Sequence, residues 1–325
     1  MQMQQAPQPA EEIAVALMPE PKRSLSSRFL RVPLIVWRAM TISRKVAVGS
    51  SIVGFFILVG IFGPVFVRTD PNAISRLFIA PPSPAHWLGT TTVGEDLFSQ
   101  LVYGTSTSVF WGLGTGLVVT AVSVVVGLAG GYLGGWIDDA LTLLTNVALV
   151  LPSLPLAIVL AAYFPRGPLT ISLIIVVTNW AWQARVLRAQ TLSMRSREFV
   201  TASLISGENI WRIIFFEILP NEIGLVVAGF VSTTVYVVLT WAALEFLGLG
   251  DGSIPSWGSM LYWAQQAGAL GGGLWWWFIP PGACIALLGA GLSLINFGID
   301  EIADPRLRVE RPAAKPEKAQ KKALA

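Results

Sequence analysis

Six stretches of the 325-residue chain, 46–67, 106–133, 139–163, 169–187, 223–247 and 276–299, are each long and apolar enough to cross a lipid hydrocarbon core as a helix. Such a core is about 30 Å thick and takes about 20 helical residues to cross. The apolar positions come in continuous runs. A membrane barrel would show alternating strands of about ten residues, so helices are predicted throughout. Composition agrees, with 54% hydrophobic and only 13% charged residues, against roughly 25% charged in soluble domains. The reading is an all-α, polytopic membrane protein with six transmembrane helices.

Positive charge orients those helices. Of the 22 Lys and Arg residues, 19 fall in three flanks: the stretch before the first span, residues 185–212, and the end of the chain from Arg306. Cytoplasmic flanks attract Lys and Arg, so both termini and the segment between the fourth and fifth spans are predicted to be cytoplasmic. Residues 1–22 are rich in Gln, Pro, Glu and Ala and lack an apolar core followed by a cleavage site. They are predicted to be a disordered cytoplasmic tail, with no cleaved signal. Residues 23–45 interleave Arg and Lys with Phe29, Leu30, Leu34, Ile35 and Trp37, as in a basic amphipathic helix lying on anionic membrane lipid. Residues 46–67 form the first span and 68–105 an external loop. Residues 106–299 hold the other five helices, and 300–325 form a basic cytoplasmic tail. The net charge of +3 sits in these flanks and gives no sign of nucleic-acid binding.

Several chemistries are excluded. One cysteine (Cys284) and one histidine (His86) cannot make a disulfide or a Cys/His metal site within the chain. His86 has no nucleophile elbow and no second histidine beside it, which argues against hydrolysis. No Gly-Lys pair occurs anywhere, so the chain has no phosphate-cradling Walker loop. No metal, cofactor or catalytic residue is expected in the chain itself.

The polar loop 188–221 stands out against this background. Glu198 opens a short run where a carboxylate suits the positive end of a helix, Ala202 and Ser203 are small enough for close contact, and Gly207 can take the left-handed conformation that ends a helix. A second run follows through Ile213 to Leu219 and Pro220. The pattern reads as helix, glycine turn, helix, proline stop: a helical hairpin under the membrane.

Glu198, Ala202, Gly207, Ile213, Leu219 and Pro220 resemble the Glu-Ala-Ala loop of ABC importer permeases. His86-Trp87-Leu88-Gly89-Thr90 with Gly94-Glu95-Asp96, Leu151-Pro152-Ser153, Phe246 to Gly250, Pro255-Ser256-Trp257-Gly258 and Asp304-Pro305-Arg306 are similar to segments of the dipeptide and oligopeptide (and nickel) subfamily, C-type subunit. The resemblance implies a type I importer permease fold in the cytoplasmic (inner) membrane of a prokaryote. It implies a homologous second permease subunit, an extracytoplasmic solute-binding protein, and two cytoplasmic ABC ATPase subunits that bind ATP and Mg. It gives Glu198, Ala202, Ser203, Gly207, Ile213, Leu219 and Pro220 the task of ATPase coupling. Peptides are the implied cargo, with oligosaccharides or nickel as alternatives on the same machinery. Glu95, Ser203, Phe216, Glu217 and Glu245 depart from the family's usual residues. An ion-coupled carrier or channel would instead place ionisable residues along several spans, and such residues are nearly absent here.

Three intramembrane residues are candidates to line a pathway. Glu245 is a carboxylate near the outer end of the fifth span, where an ordinary hydrated interface is the alternative. Asn179 and Gln183 lie toward the inner end of the fourth, where they could equally hold helices together. Pro152 and Pro155 should bend the third span, Asp138 and Asp139 should start it, and Trp275-Trp276-Trp277 is expected to anchor the sixth at the lipid interface.

Overall fold

The computed structural model describes residues 43–67 and 69–303. The predicted N-terminal tail, all but the last three residues of the lipid-surface helix, and the C-terminal tail beyond residue 303 lie outside the described residues. Among those described, regular structure is helical apart from one isolated bridge between Thr90 and Asp96. Four helices are long and apolar enough to cross a membrane, and two further helix pairs, each bent at a short break, bring the number to six when each pair is counted as one span, as it is below.

The first span, α1 (Arg44–Phe66), and the second, α2 (Leu97–Leu133), are single helices. The third is α3 (Gly135–Val150) and α4 (Ser153–Tyr163), bent by 87° at Leu151–Pro152. The bend falls where the sequence places its two prolines. Pro155 lies in the first turn of α4, where a missing N–H removes no helical bond. The fourth span is α5 (Pro168–Asn179) and α6 (Ala181–Arg195), bent by 44° at Trp180. The short α7 (Glu198–Ile205) and α8 (Ile210–Arg212) follow, then a π-helical stretch Ile213–Ile218 running into α9 (Leu219–Phe246), the fifth span. A short α10 (Trp257–Gln266) precedes the sixth span, α11 (Trp275–Ala303), which takes in the first residues of the segment expected as tail.

The 37-residue α2 is the axis of the bundle. One face carries α9 so closely that a Cβ on Gly116 would come within 2.5 Å of Thr234 Oγ1. Another carries α6, where a Cβ on Gly127 would come within 2.8 Å of the Ala184 carbonyl. Small residues let backbones approach where lipid supplies no hydrophobic push between helices. Apolar layers fill either side of this axis. One gathers Val119, Ile171, Ile175, Ala181 and Trp241, and the other Val53, Phe56, Val109, Val238 and Leu288.

Three local results differ from the sequence reading. The second helix begins at Leu97 because Asp96 caps it, accepting from the Ser99 backbone N–H at 2.8 Å and its hydroxyl at 2.6 Å. The other Asp96 oxygen meets His86 Nδ1 at 2.9 Å, so the lone histidine holds an external loop to this cap. The third span starts at Gly135, and Asp138 instead makes a two-point contact with Arg188 on α6, from Nε at 2.5 Å and Nη2 at 2.8 Å. The tryptophan run is split: Trp275 is 52% exposed while Trp277 is 1% exposed, packed with Leu97 and Met260.

Candidate functional site: an exposed hairpin and a mid-span concavity

The loop between the fourth and fifth spans is a hairpin with a buried root and an exposed tip. Val200, Ile213, Ile214 and Ile218 are buried against Leu128, Tyr132 and Leu187. Thr191 on α6 donates its hydroxyl to the Glu222 carboxylate on α9 at 3.0 Å, closing the base of the hairpin across its two legs. Glu222 is 2% exposed. Sequence reasoning passed over it, although a lone carboxylate one turn into an apolar span was a signal to examine.

The tip turns at Gly207, whose φ of +77° belongs to the left-handed region. No atom lies within 4 Å of where its Cβ would stand. The requirement for glycine there is conformational and owes nothing to space. Just after the turn, Arg212 pairs with Glu208 four residues before it at 2.6 Å, along the start of the second leg. Around it Leu204, Ile205 and Trp211 face outward, Ile205 at 81% exposure.

The predicted coupling residues therefore separate by depth. Glu198, Ala202 and Gly207 are exposed and Ser203 half-buried, its hydroxyl turned back onto the Phe199 carbonyl. Ile213 is fully buried, and Leu219 and Pro220 are half-buried at the start of α9. Pro220 does not stop the second helix, which runs without interruption from Ile210 to Phe246. The Leu219 N–H reaches back five residues to Ile214 O, and Pro220 comes next. The change from five-residue to four-residue steps thus falls at a residue with no donor to place, and the wider π-turn relieves the ring's clash with the preceding turn. Asn221 adds its side-chain amide to the Glu217 carbonyl at 2.6 Å.

The second feature is a concavity of about 340 Å³ at the middle of the third, fourth and fifth spans. Both helix breaks border it, through Leu151 and Ser153 at one and Asn179 and Ala181 at the other, and Ser232, Thr233 and Tyr236 of α9 close it. It holds no charged side chain. Asn179 and Gln183, four residues apart across the 44° bend, line the same space. Ser153 Oγ and Tyr236 Oη meet at 2.9 Å, and Thr233 donates to Gln183 Oε1 at 3.1 Å.

Glu245, the third pathway candidate, lies apart from this concavity. It is 6% exposed at the end of α9, its carboxylate accepting the Ser256 hydroxyl at 2.6 Å, with Gly250 and Gly258 tight against its side chain. What covers it is α10, a short helix between the fifth and sixth spans. That helix starts with a reciprocal cap between Ser256 and Ser259, and it seats Trp257 in the core with its indole N–H on Thr105 Oγ1 at 3.2 Å. The serine pair three apart was the sequence signal for a helix start there.

Four unbroken spans, two bent helix pairs around a recess of mixed lining without charged side chains, and a helical hairpin between the fourth and fifth spans define a membrane transport component. The profile of the family described as binding-protein-dependent transport system inner membrane component matches residues 123–309, and the chain belongs to that family. It is 32% identical over 270 residues to the oligopeptide transport system permease protein of Bacillus subtilis (strain 168), covering 82% of this chain and 87% of that one. It is 30% identical over 277 residues to the dipeptide transport system permease protein of the same organism, covering 84% and 85%. The glutathione transport system permease protein of Pectobacterium atrosepticum is 30% identical over 228 residues, 70% of this chain and 75% of that protein. The chain is thus a multi-pass inner-membrane permease component of the type I importer fold.

Proposed function

We propose that this subunit forms half of the translocation pathway of an ATP-driven importer of peptides. It pairs with a homologous permease subunit along the face that carries the mid-span concavity. It takes cargo from an extracytoplasmic solute-binding protein and is driven by two cytoplasmic ATPases that hold the ATP and Mg. Both termini and the 188–221 loop lie in the cytoplasm. Peptides are favoured over oligosaccharides or nickel because the relatives above are named for oligopeptide, dipeptide and glutathione transport.

The observation that carries the reading is the hairpin. Leu204, Ile205 and Trp211 stand exposed on a polar loop, while Ile213 and Ile218 root it in the bundle. A rigid root with an apolar tip is built to receive a partner's push and pass it to α6 and α9. Glu198, Ala202, Ser203 and Gly207 form the receiving side; Ile213, Leu219 and Pro220 transmit. A partner can shift the spans only by holding two of their arrangements differently.

The test is reconstitution in proteoliposomes with the partner subunits. Replacing Gly207 by Ala strains the turn by about 1–2 kcal/mol without touching a neighbour. Gly207→Ala and Glu198→Ala are expected to leave ATP hydrolysis running while peptide uptake falls several-fold. Coupled uptake unchanged in both variants would overturn the lever.

A further inference from the structure

We propose that the mid-span concavity is a transient binding site for the backbone amide of a peptide in transit, with Asn179 accepting from its N–H and the Ser153–Tyr236 hydroxyl pair donating to its carbonyl. The inference rests on the importer reading above and deepens it. Its volume of about 340 Å³ is at the lower end of the roughly 300–1,000 Å³ typical of ligand pockets.

Hydrogen-bonding capacity decides what fits. Asn179 spends both amide hydrogens inward, on the Ile175 carbonyl at 3.1 Å and the Thr178 hydroxyl at 2.9 Å. Its Oδ1 has no partner among the described residues. Ser153 and Tyr236 share one hydrogen at 2.9 Å, so the second hydroxyl hydrogen of the pair is left to donate. In the wall itself Gln183 is 94% buried, with Oε1 taken by Thr233 and Nε2 without a partner among the described residues. The recess thus offers acceptor and donor together, which is the complement of a peptide unit; a carboxylate would ask for donors alone.

The backbone adds to this. Helices α4 and α6 both begin at the concavity, at Ser153 and Ala181, and neither start carries a side-chain cap. Interrupted membrane helices direct such ends at solutes, and here they favour the oxygen of a carbonyl. With no charged lining residue, the site does not discriminate by side-chain charge, as a carrier of varied peptides requires.

The experiment compares ATP-driven uptake of trialanine with that of its depsipeptide analogue, in which backbone esters replace both amides and so remove both amide N–H groups. The reconstituted complex carries wild-type subunit or Asn179→Ala. Any preference of the binding protein is common to both subunits and cancels in the comparison. Asn179→Ala is expected to slow trialanine uptake about tenfold, the effect of one buried hydrogen bond, and depsipeptide uptake less than about twofold, because that bond is already missing. If Asn179→Ala does not assemble, Asn179→Leu fills the same volume without an acceptor and gives the same comparison. Equal losses for both substrates, or no loss for either, overturn the site and leave the importer reading standing. Failure of the wild-type complex to move trialanine with ATP overturns the peptide reading, and this site with it.

Discussion

Two surfaces of this subunit are each mismatched to the solvent their position implies, in opposite senses. The hairpin tip presents Leu204, Ile205 and Trp211 on a polar loop. The mid-span concavity presents Ser232, Thr233 and Tyr236 at a depth where lipid would surround them. Apolar side chains in water and polar side chains in hydrocarbon both cost free energy. The contrast is what the proposed assembly would resolve, with a protein groove over the tip and a second subunit and a hydrated path at the recess.

Substitutions sharpen that contrast, beginning with the largest effect. Ile213→Asp puts a charge at the fully buried root and is expected to cost about 4 kcal/mol or more, read as loss of monodisperse protein in detergent by size-exclusion chromatography. Glu245→Ala removes the stronger acceptor of the Ser256 hydroxyl, leaving it only Ser259 Oγ at 3.0 Å, and opens space beneath α10, at about 2–3 kcal/mol. A thermal-unfolding series with Ser256→Ala and the double variant should show the two losses overlapping; full additivity would break the assignment of Glu245 to this internal bond and return it to the pathway. Ile205→Asp lies at the other extreme. At an 81% exposed position it should change subunit stability by less than about 0.5 kcal/mol while abolishing copurification of the ATPase. A stability loss as large as that of Ile213→Asp would erase the distinction between root and tip.

Much of this was legible in the sequence because the relevant signals are local. The apolar runs, the charge at their ends, Glu198 at a helix start and Gly207 at a left-handed turn are each decided within a few residues. Asn179 and Gln183 lie four apart, so one helical face brings them together even across the bend. Pro220 was misread as a stop because a proline's cost in a helix depends on the hydrogen-bond step around it, and the π-turn that absorbs it leaves no compositional mark. The position of Glu245 was hidden for a different reason. Its cover, α10, comes from a Gly- and Pro-rich stretch, and only tertiary packing brings Ser256 over the end of α9. The closure of the hairpin base by Thr191 and Glu222 was equally invisible, since the two residues are separated by the whole hairpin.

The most direct test of the account is hydrogen–deuterium exchange of the reconstituted subunit, measured with and without its ATPase partner. Amides of residues 199–212 are expected to exchange at least about tenfold more slowly when the ATPase is bound, and those bordering the concavity at 151–154 and 179–183 to slow when the second permease subunit is bound. Unchanged exchange in the hairpin on ATPase binding would contradict the claim that this loop is where the chain receives its energy.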